Sequence, residues 1–178
     1  MQYIDTMENP TAGPAPTEVP IFERQRPAAD QVIKDHVLLA LGAGLIPVPL
    51  VDAVAITMIE VNMIGDLAGV YDFPIPHKLV RHKILLSLLG SFGPLYAADH
   101  LYGALKVVPL IGFAASAAIL SLTGGVSVYV VGRAFQKHYE SGGTFLSGNN
   151  AYLRRFFRET REEGKQVVPG YARAAAIT

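Results

Sequence analysis

Three carboxylates inside one apolar stretch are the residues of this chain that most invite a chemical reading. Asp52, Glu60 and Asp66 lie within LIPVPLVDAVAITMIEVNMIGDLAGVY, residues 45–71. At about 100° per residue on a helix, Asp52 and Asp66 fall about 40° apart and Glu60 about 80° to the other side of Asp52. The three therefore share one broad polar face. A charge at membrane depth costs about 2.5–3.5 kcal/mol on insertion scales, so three of them facing lipid would be prohibitive. Their face should point to another subunit, to water or to the headgroup layer. Lining a small ion-conducting oligomer is the alternative use. Asp52 also has a simpler reading, as a carboxylate in the first turn of a helix, where the dipole favours it.

No other grouping points to catalysis. The five histidines (His36, His77, His82, His100, His138) are scattered, and the Glu-x-x-His spacing of a di-metal bundle is absent. There is no GxxxxGK[ST] phosphate loop, no GxGxxG after a strand, no GxSxG elbow and no HExxH. With no cysteine, a disulfide framework, a thiolate metal site and a cysteine nucleophile are all excluded. The expectation is a chain that is not an enzyme and carries no catalytic residue, cofactor or metal. Net charge is zero, from 15 basic and 15 acidic residues. That argues against a general nucleic-acid binder, which needs a basic surface to displace counterions from phosphates.

The elements that must position these residues read as helices throughout. No segment alternates with a two-residue period, so the fold class is all-α. Residues 1–27 carry Pro10, Pro14, Pro16, Pro20 and Pro27 and no hydrophobic period, which predicts an extended Pro-rich arm. A helix follows over about 28–45. Pro47 and Pro49 break it, and a second helix runs over about 50–71. After a loop at 72–76, helices are predicted at about 77–90 and 95–108. Pro109 and Gly112 interrupt the chain before a long helix over about 113–139. The Gly142-Gly143 pair caps that helix, and Gly124-Gly125 within it reads as a packing feature. A last helix covers about 151–165, followed by a loose tail. Both Pro-containing breaks precede a small, apolar helix, so each marks the tip of a helical hairpin. The domain reading is an arm at 1–27, a helical membrane domain at 28–146, and a basic amphipathic helix with tail at 147–178.

Charge distribution places the hairpins against lipid. Residues 37–132 hold nine of the thirty charged residues. Val107 to Gly132 is a run of 26 uncharged residues between Lys106 and Arg133. About 20 apolar residues suffice to cross a bilayer core, although a buried central helix of a soluble bundle has the same composition. Basic residues flank the N-terminal side (Arg24, Arg26, Lys34), fill the middle loop (Lys78, Arg81, Lys83) and follow from Arg133. All three groups favour the cytoplasmic side. Two hairpins that dip in and return, with Pro47, Pro49, Pro109 and Gly112 at their tips, satisfy this arrangement. The predicted location is a bacterial inner membrane with both termini cytoplasmic. In the last helix, Arg154, Arg155, Arg158 and Arg161 form a basic face that either lies on an anionic membrane surface or stays solvated while Leu153, Phe156 and Phe157 pack on the protein.

These residues resemble a family. LIPVPLVDAVAITMIEVNMIGDLAGVYDFPI is similar to the signature of the YcjF-like group of bacterial domains of unknown function. Pro47 and Pro49 match its Pro-rich break, Asp52 the acidic residue after it, and Met58 to Leu67 its apolar helix. Tyr71 matches its Tyr-Gly-like end, with Asp72 in place of the glycine. VVPLIGFAASAAILSLTGGVSVYVVGRAF resembles the second half, through the break, the small-residue helix and the closing Gly132, Arg133 and Ala134. The resemblance covers about residues 30–146. It implies a bacterial membrane protein, often fused to or encoded near an Era-like GTPase domain, which this chain lacks. A GTPase partner would therefore be a separate protein. The function expected is that of a membrane-embedded structural or assembly subunit, homo-oligomeric or part of a larger complex, in contact with lipid and not with nucleic acid. The alternatives are the small pore and a soluble α-helical module partnering a small GTPase.

Overall fold

A computed structural model describes residues 20–44, 51–74, 83 and 118–177. Every regular element among them is helical. We number the helices α1 (Ile21–Ala43), α2 (Val51–Val70), α3 (Ala118–Glu140) and α4 (Asn150–Ala175), with a short 3-10 turn at Phe145–Ser147 before α4.

Helix α3 is the centre. Val126, Val128, Tyr129, Val130, Ala134 and Phe135 are buried along it. Ala29, Ile33, Val37, Ala40 and Leu41 of α1, with Met63, Ile64 and Leu67 of α2, belong to the same apolar cluster. The 3–4 residue spacing of these positions is the helical period that one buried face requires. Contacts set the helix directions. Ser121 Oγ donates to the Leu41 carbonyl at 2.5 Å, and Arg26 pairs with Glu140 at 2.9 Å, so α1 runs antiparallel to α3. Ser127 reaches Glu60, and Tyr71 reaches Glu140, so α2 runs parallel to α3. Val168 lies over Gly125, and Gly164 over Tyr129, so α4 returns antiparallel along α3.

Close approach is made possible by glycine. A Cβ on Gly44 would sit 2.5 Å from Ser121 Cα, and one on Gly125 would sit 2.9 Å from a Val168 methyl. At Gly44 the obstacle is backbone, which cannot turn aside. The Gly124-Gly125 pair therefore does pack helices, as expected. Gly142 and Gly143, at φ of +64° and +82°, end α3. Gly143 N–H donates to the His138 carbonyl at 2.8 Å and Gly142 N–H to that of Tyr139 at 3.0 Å, which satisfies the last turn.

Helix α2 matches its expected span, but two other boundaries differ. The arm was expected to stay extended to residue 27, yet α1 begins at Ile21 with Pro27 inside it. Pro27 removes one helical N–H and so forfeits the bond to the Glu23 carbonyl. Contacts of Arg26 hold the turn instead: its guanidinium lies over the Phe22 ring one turn back in α1 and pairs across to Glu140 of α3. At the other end the expected loose tail from residue 166 is helix to Ala175, despite Pro169. Val168 is fully buried, and Val167, Tyr171 and Ala172 pack beside it. That burial outweighs the local preference to stop. The helices expected at 77–90, apart from the helical Lys83, and at 95–108, and the tips at Pro47, Pro49, Pro109 and Gly112, lie outside the described residues.

Asp72 sits at φ 50°, the left-handed conformation in which α2 terminates, and the Phe73 N–H closes back on the Ala68 carbonyl at 2.8 Å. Aspartate tolerates this geometry, and glycine accepts it without strain. Asp72→Gly should therefore raise stability by about 0.5–1 kcal/mol, as relief of the left-handed penalty exceeds the extra entropy glycine loses on folding, measured by denaturant unfolding. Gly44→Ala should lower it by about 1–3 kcal/mol, because the added methyl must push α1 away from the α3 backbone.

Candidate functional site

The long axis of the bundle largely separates two chemistries, the exceptions being Ile21, Phe22 and Tyr152, exposed at the charged end, and Arg173, exposed at the apolar end. At the end where α1 finishes and α2 and α3 begin, large apolar side chains face outward: Leu39, Val54, Met58, Ile119, Leu120 and Leu122. Met58 and Leu39 are each 59% exposed. On α2 the outward face continues from Val54 and Met58 to Asn62 and Asp66, so the change from apolar to polar falls between Met58 and Asn62. On α1 the same change falls between Leu39 and Asp35. From Val54 to Met58 the described apolar zone of α2 is about 6 Å tall at 1.5 Å per residue, well short of a bilayer core of about 30 Å. Helix α3 is long and apolar enough to cross a membrane, with a mean hydropathy of 1.4. Nevertheless 61% of that stretch is buried inside the protein. The uncharged run ending at Gly132 thus spends its second half largely on protein contacts, and among its described residues the exposed ones are 118–120 and 122.

The opposite end is a charged lattice built from the start of α1, the end of α2, the end of α3 and the α3–α4 turn. Glu140 accepts from Arg26 Nε and Nη2, at 2.9 and 3.2 Å, and from Tyr71 Oη at 3.2 Å. Arg133 bonds to Asp30, to Gln136 at 2.7 Å and to Tyr129 Oη at 3.1 Å. Tyr129 in turn donates to Glu163 at 2.7 Å. Burial pushes the hydroxyls of Tyr71 and Tyr129 up to about 12, so both remain donors at neutral pH. Burial also lowers the His138 pKa; its Nδ1 accepts from the Leu146 N–H, which ties the end of α3 to the 3-10 turn. A groove of about 270 Å³ opens here between α1, α3 and α4, lined by Arg26, Asp30, Arg133, Glu140, Phe156 and Glu163 among others. Its charged groups largely neutralise one another.

Of the three carboxylates singled out from the sequence, Glu60 and Asp66 do not share one face. Glu60 points inward at 2% exposure, and its Oε1 accepts from Ser127 Oγ at 2.9 Å. Asp66 faces outward, its side chain 61% exposed, and lies 3.5 Å from His36 Nε2. His36 Nδ1 is 2.9 Å from the Val32 carbonyl oxygen, which a donating nitrogen alone can satisfy. Glu60 thus joins α2 to α3, and Asp66 joins α2 to α1. The placement of the Asp52 side chain lies outside the described residues. In α4, Arg154, Arg155 and Arg158 are exposed, but Arg161 is 9% exposed and turned inward with Phe157, Thr160 and Gly164. It does not share the surface of the other three, because the helical period that buries Phe157 and Gly164 carries position 161 with them. The Arg26–Glu140 and Asp30–Arg133 pairs went unseen in the sequence. They join residues more than a hundred positions apart, and a basic residue closing an apolar run was their one local signal. Among the described residues no group of three His, Asp or Glu side chains could hold a metal ion.

The two halves of the bundle, Pro-containing connection included, correspond to one family pattern. A model for a domain of unknown function, DUF697, matches residues 20–166. The chain belongs to the DUF697 family. This match covers α1, α2 and α3 and reaches residue 166 within α4, and it agrees with the resemblance drawn from the two Pro-break segments. The chain is also similar to magnetosome membrane protein 22 of Magnetospirillum gryphiswaldense, at 33% identity over 171 residues, covering 94% of this chain and 85% of that protein. No solved structure matches.

Glu60 makes the stability of this DUF697 fold depend on pH. Burial pushes its carboxyl from 4.5 up to about 7, with the Ser127 bond opposing the shift. The folded state therefore holds the proton more tightly than the unfolded chain. Stability from this group is full below pH 4.5 and is lost as pH rises to about 7. The loss is of order 3 kcal/mol. Glu60→Gln keeps an acceptor for Ser127 without the charge. Urea unfolding at pH 5 and pH 8 should show a smaller decline for the variant than for the wild type; equal declines would remove Glu60 as the cause.

Proposed function

We propose that the protein is a membrane-associated, non-enzymatic structural or assembly subunit that seats its apolar end in lipid and holds its charged end in water. The observation that carries this reading is the exposed apolar cluster of Leu39, Val54, Met58, Ile119, Leu120 and Leu122, drawn from three helices to one end of the bundle. A water-soluble monomer has no use for such a cluster at the tip of its helices. The ion-pair lattice at the opposite end supplies the second half of the argument, since it is satisfied in water and costly in hydrocarbon. The name of the Magnetospirillum relative, a magnetosome membrane protein, agrees with a membrane setting.

In this arrangement the protein enters one face of the bilayer, with the apolar–polar boundary at the level of Met58 and Leu39. The basic residues Arg24, Arg26, Arg133 and Lys137 stand on the side where the bundle is polar, which in a bacterial inner membrane is the cytoplasmic side. An assembly role follows from what the fold contains: a rigid, glycine-packed bundle and a lipid-seeking end. Self-association or a place in a larger complex is the role we assign to it.

Flotation with liposomes tests the reading. The wild type should rise with vesicles and resist a carbonate wash. Met58→Asp with Leu120→Asp changes two exposed positions and should leave the helical content intact, while the partition into vesicles falls at least about tenfold, given the cost of placing a carboxylate in hydrocarbon. A wild type that stays in plain buffer as a folded monomer, without lipid or detergent, would end the proposal.

A further inference from the structure

The outward face of α4 carries a charge pattern that contacts within the bundle use only in part. Arg154, Arg155 and Arg158 stand exposed in its first turns, and Glu159, Glu162 and Glu163 stand exposed in the turns that follow. The order is antisymmetric about the Arg158–Glu159 bond: position 154 answers 163, 155 answers 162 and 158 answers 159, each time with the opposite charge. At about 100° per residue the six positions cover half of the helix circumference, with Arg155 and Glu162 about 20° apart on its midline. That midline lies opposite the buried positions Leu153, Phe157, Thr160, Gly164 and Val168, so the stripe faces away from the bundle. Within the chain, Arg155 pairs with Glu159 at 2.7 Å and Lys165 with Glu162 at 2.8 Å, and Tyr129 donates to Glu163. Arg154 and Arg158 have no ion pair with any described carboxylate. Exposed pairs along one helix contribute little, so exchanging them for others costs little.

We infer that this face is a contact between two copies of the chain, packed with their α4 helices antiparallel about a twofold axis at the level of the Arg158–Glu159 bond. A twofold interface sets one patch against itself, so the patch must be complementary to itself. The antisymmetric charge order meets that condition in the antiparallel arrangement. The arginine half of each helix lies over the glutamate half of the other, with Arg155 of one copy level with Glu162 of the second. A parallel arrangement would set arginine on arginine and glutamate on glutamate, which repels. A merely solvated helix has no need to segregate its charges into two blocks. Tyr152, 53% exposed at the edge of the stripe, adds aromatic surface to the contact. Helix α4 runs along the bundle axis with Val168 at Gly125, so the apolar ends of the two copies point in opposite directions. At about 1.5 Å per residue they stand on the order of 40 Å apart. Two such ends cannot enter the same face of one bilayer, and the pair therefore joins two lipid surfaces. That consequence rests on the lipid-seeking end proposed above, whereas the contact itself does not. Copies confined on lipid meet at a raised effective concentration, which lets individually weak ion pairs act together.

The absence of cysteine makes a clean test possible. Ala151 and Gln166 are both exposed and stand symmetrically about the same midpoint. Ala151→Cys and Gln166→Cys are placed in separate full-length chains, and disulfide formation in mild detergent is followed on non-reducing gels. The mixture should cross-link at least about tenfold faster than either variant alone, because about 22 Å of helix separates the two positions and antiparallel pairing brings them together. Raising salt from 0.15 M to 1 M should slow the mixture about tenfold, since the screening length falls from about 8 Å to about 3 Å. Adding R154E, R155E and R158E to both chains should slow it similarly at low salt. Placing those three in one chain and E159R with E162R in the other should restore the rate, because each acidic face then meets a basic one. The salt series uses no charge variant and so stands apart from any effect of those substitutions on folding. Either single variant cross-linking as fast as the mixture would overturn the inference, as would a rate indifferent to salt and to charge reversal. With phosphatidylcholine vesicles the wild type should float and cluster them, whereas the R154E, R155E, R158E variant should float without clustering. Flotation of the wild type without clustering would overturn the inference and leave the lipid-seeking end standing. Cross-linking of the mixture without flotation would keep the contact and remove the lipid reading.

Discussion

Close helix approach around α3 is the constraint on which the rest depends. Gly44 lets the end of α1 touch the α3 backbone at Ser121, and Gly125 and Gly132 admit Leu41, Val168, Ile33 and Met63 to its surface. Van der Waals contact on several sides makes α3 a core helix, even though its composition would also suit a bilayer. Because α3 is held this tightly, the directions of its neighbours are set, and every charged residue near its C-terminal end is brought to the same level as the start of α1 and the end of α2.

The two chemistries of the molecule follow from that alignment. Arg26, Asp30, Arg133, Glu140 and Glu163 come from three helices and satisfy one another only because those helices are in register. At the other end the same register collects exposed apolar side chains that would be scattered on separate helices. Polarity along the axis, and not the hydropathy of any one helix, is what distinguishes the two ends of this DUF697 protein. The buried Glu60 lies near the level where one regime gives way to the other, joined to Ser127 across the α2–α3 contact.

Much of the fold was legible from punctuation in the chain. The capping glycines after α3 and the limits of α2 follow from local backbone preferences, which act wherever the chain goes. The left-handed Asp72 explains a departure from the family pattern, since the position asks for glycine on conformational grounds and an aspartate fills it. Legibility failed where packing overrode those preferences. Pro27 and Pro169 both lie within helices, one held by the Arg26 clamp and the other by burial of Val168. The candidate carboxylates were placed on the correct helix, but their directions were not legible, because a 100° step locates residues relative to each other and says nothing about where the neighbouring helices stand.

The sequence alone determined that the protein is helical, that its charges avoid the middle of the chain, and that no familiar catalytic spacing is present. These are consequences of composition and short-range geometry. Tertiary structure decided that the described part of the apolar run of α3 is spent largely on protein, that Glu60 and Asp66 serve different helix contacts, that Arg161 is turned inward, and that Arg154, Arg155 and Arg158 of α4 stand at the end opposite the apolar tips. Each of these depends on contacts between residues far apart in the chain, and such contacts leave no periodic trace in any one segment.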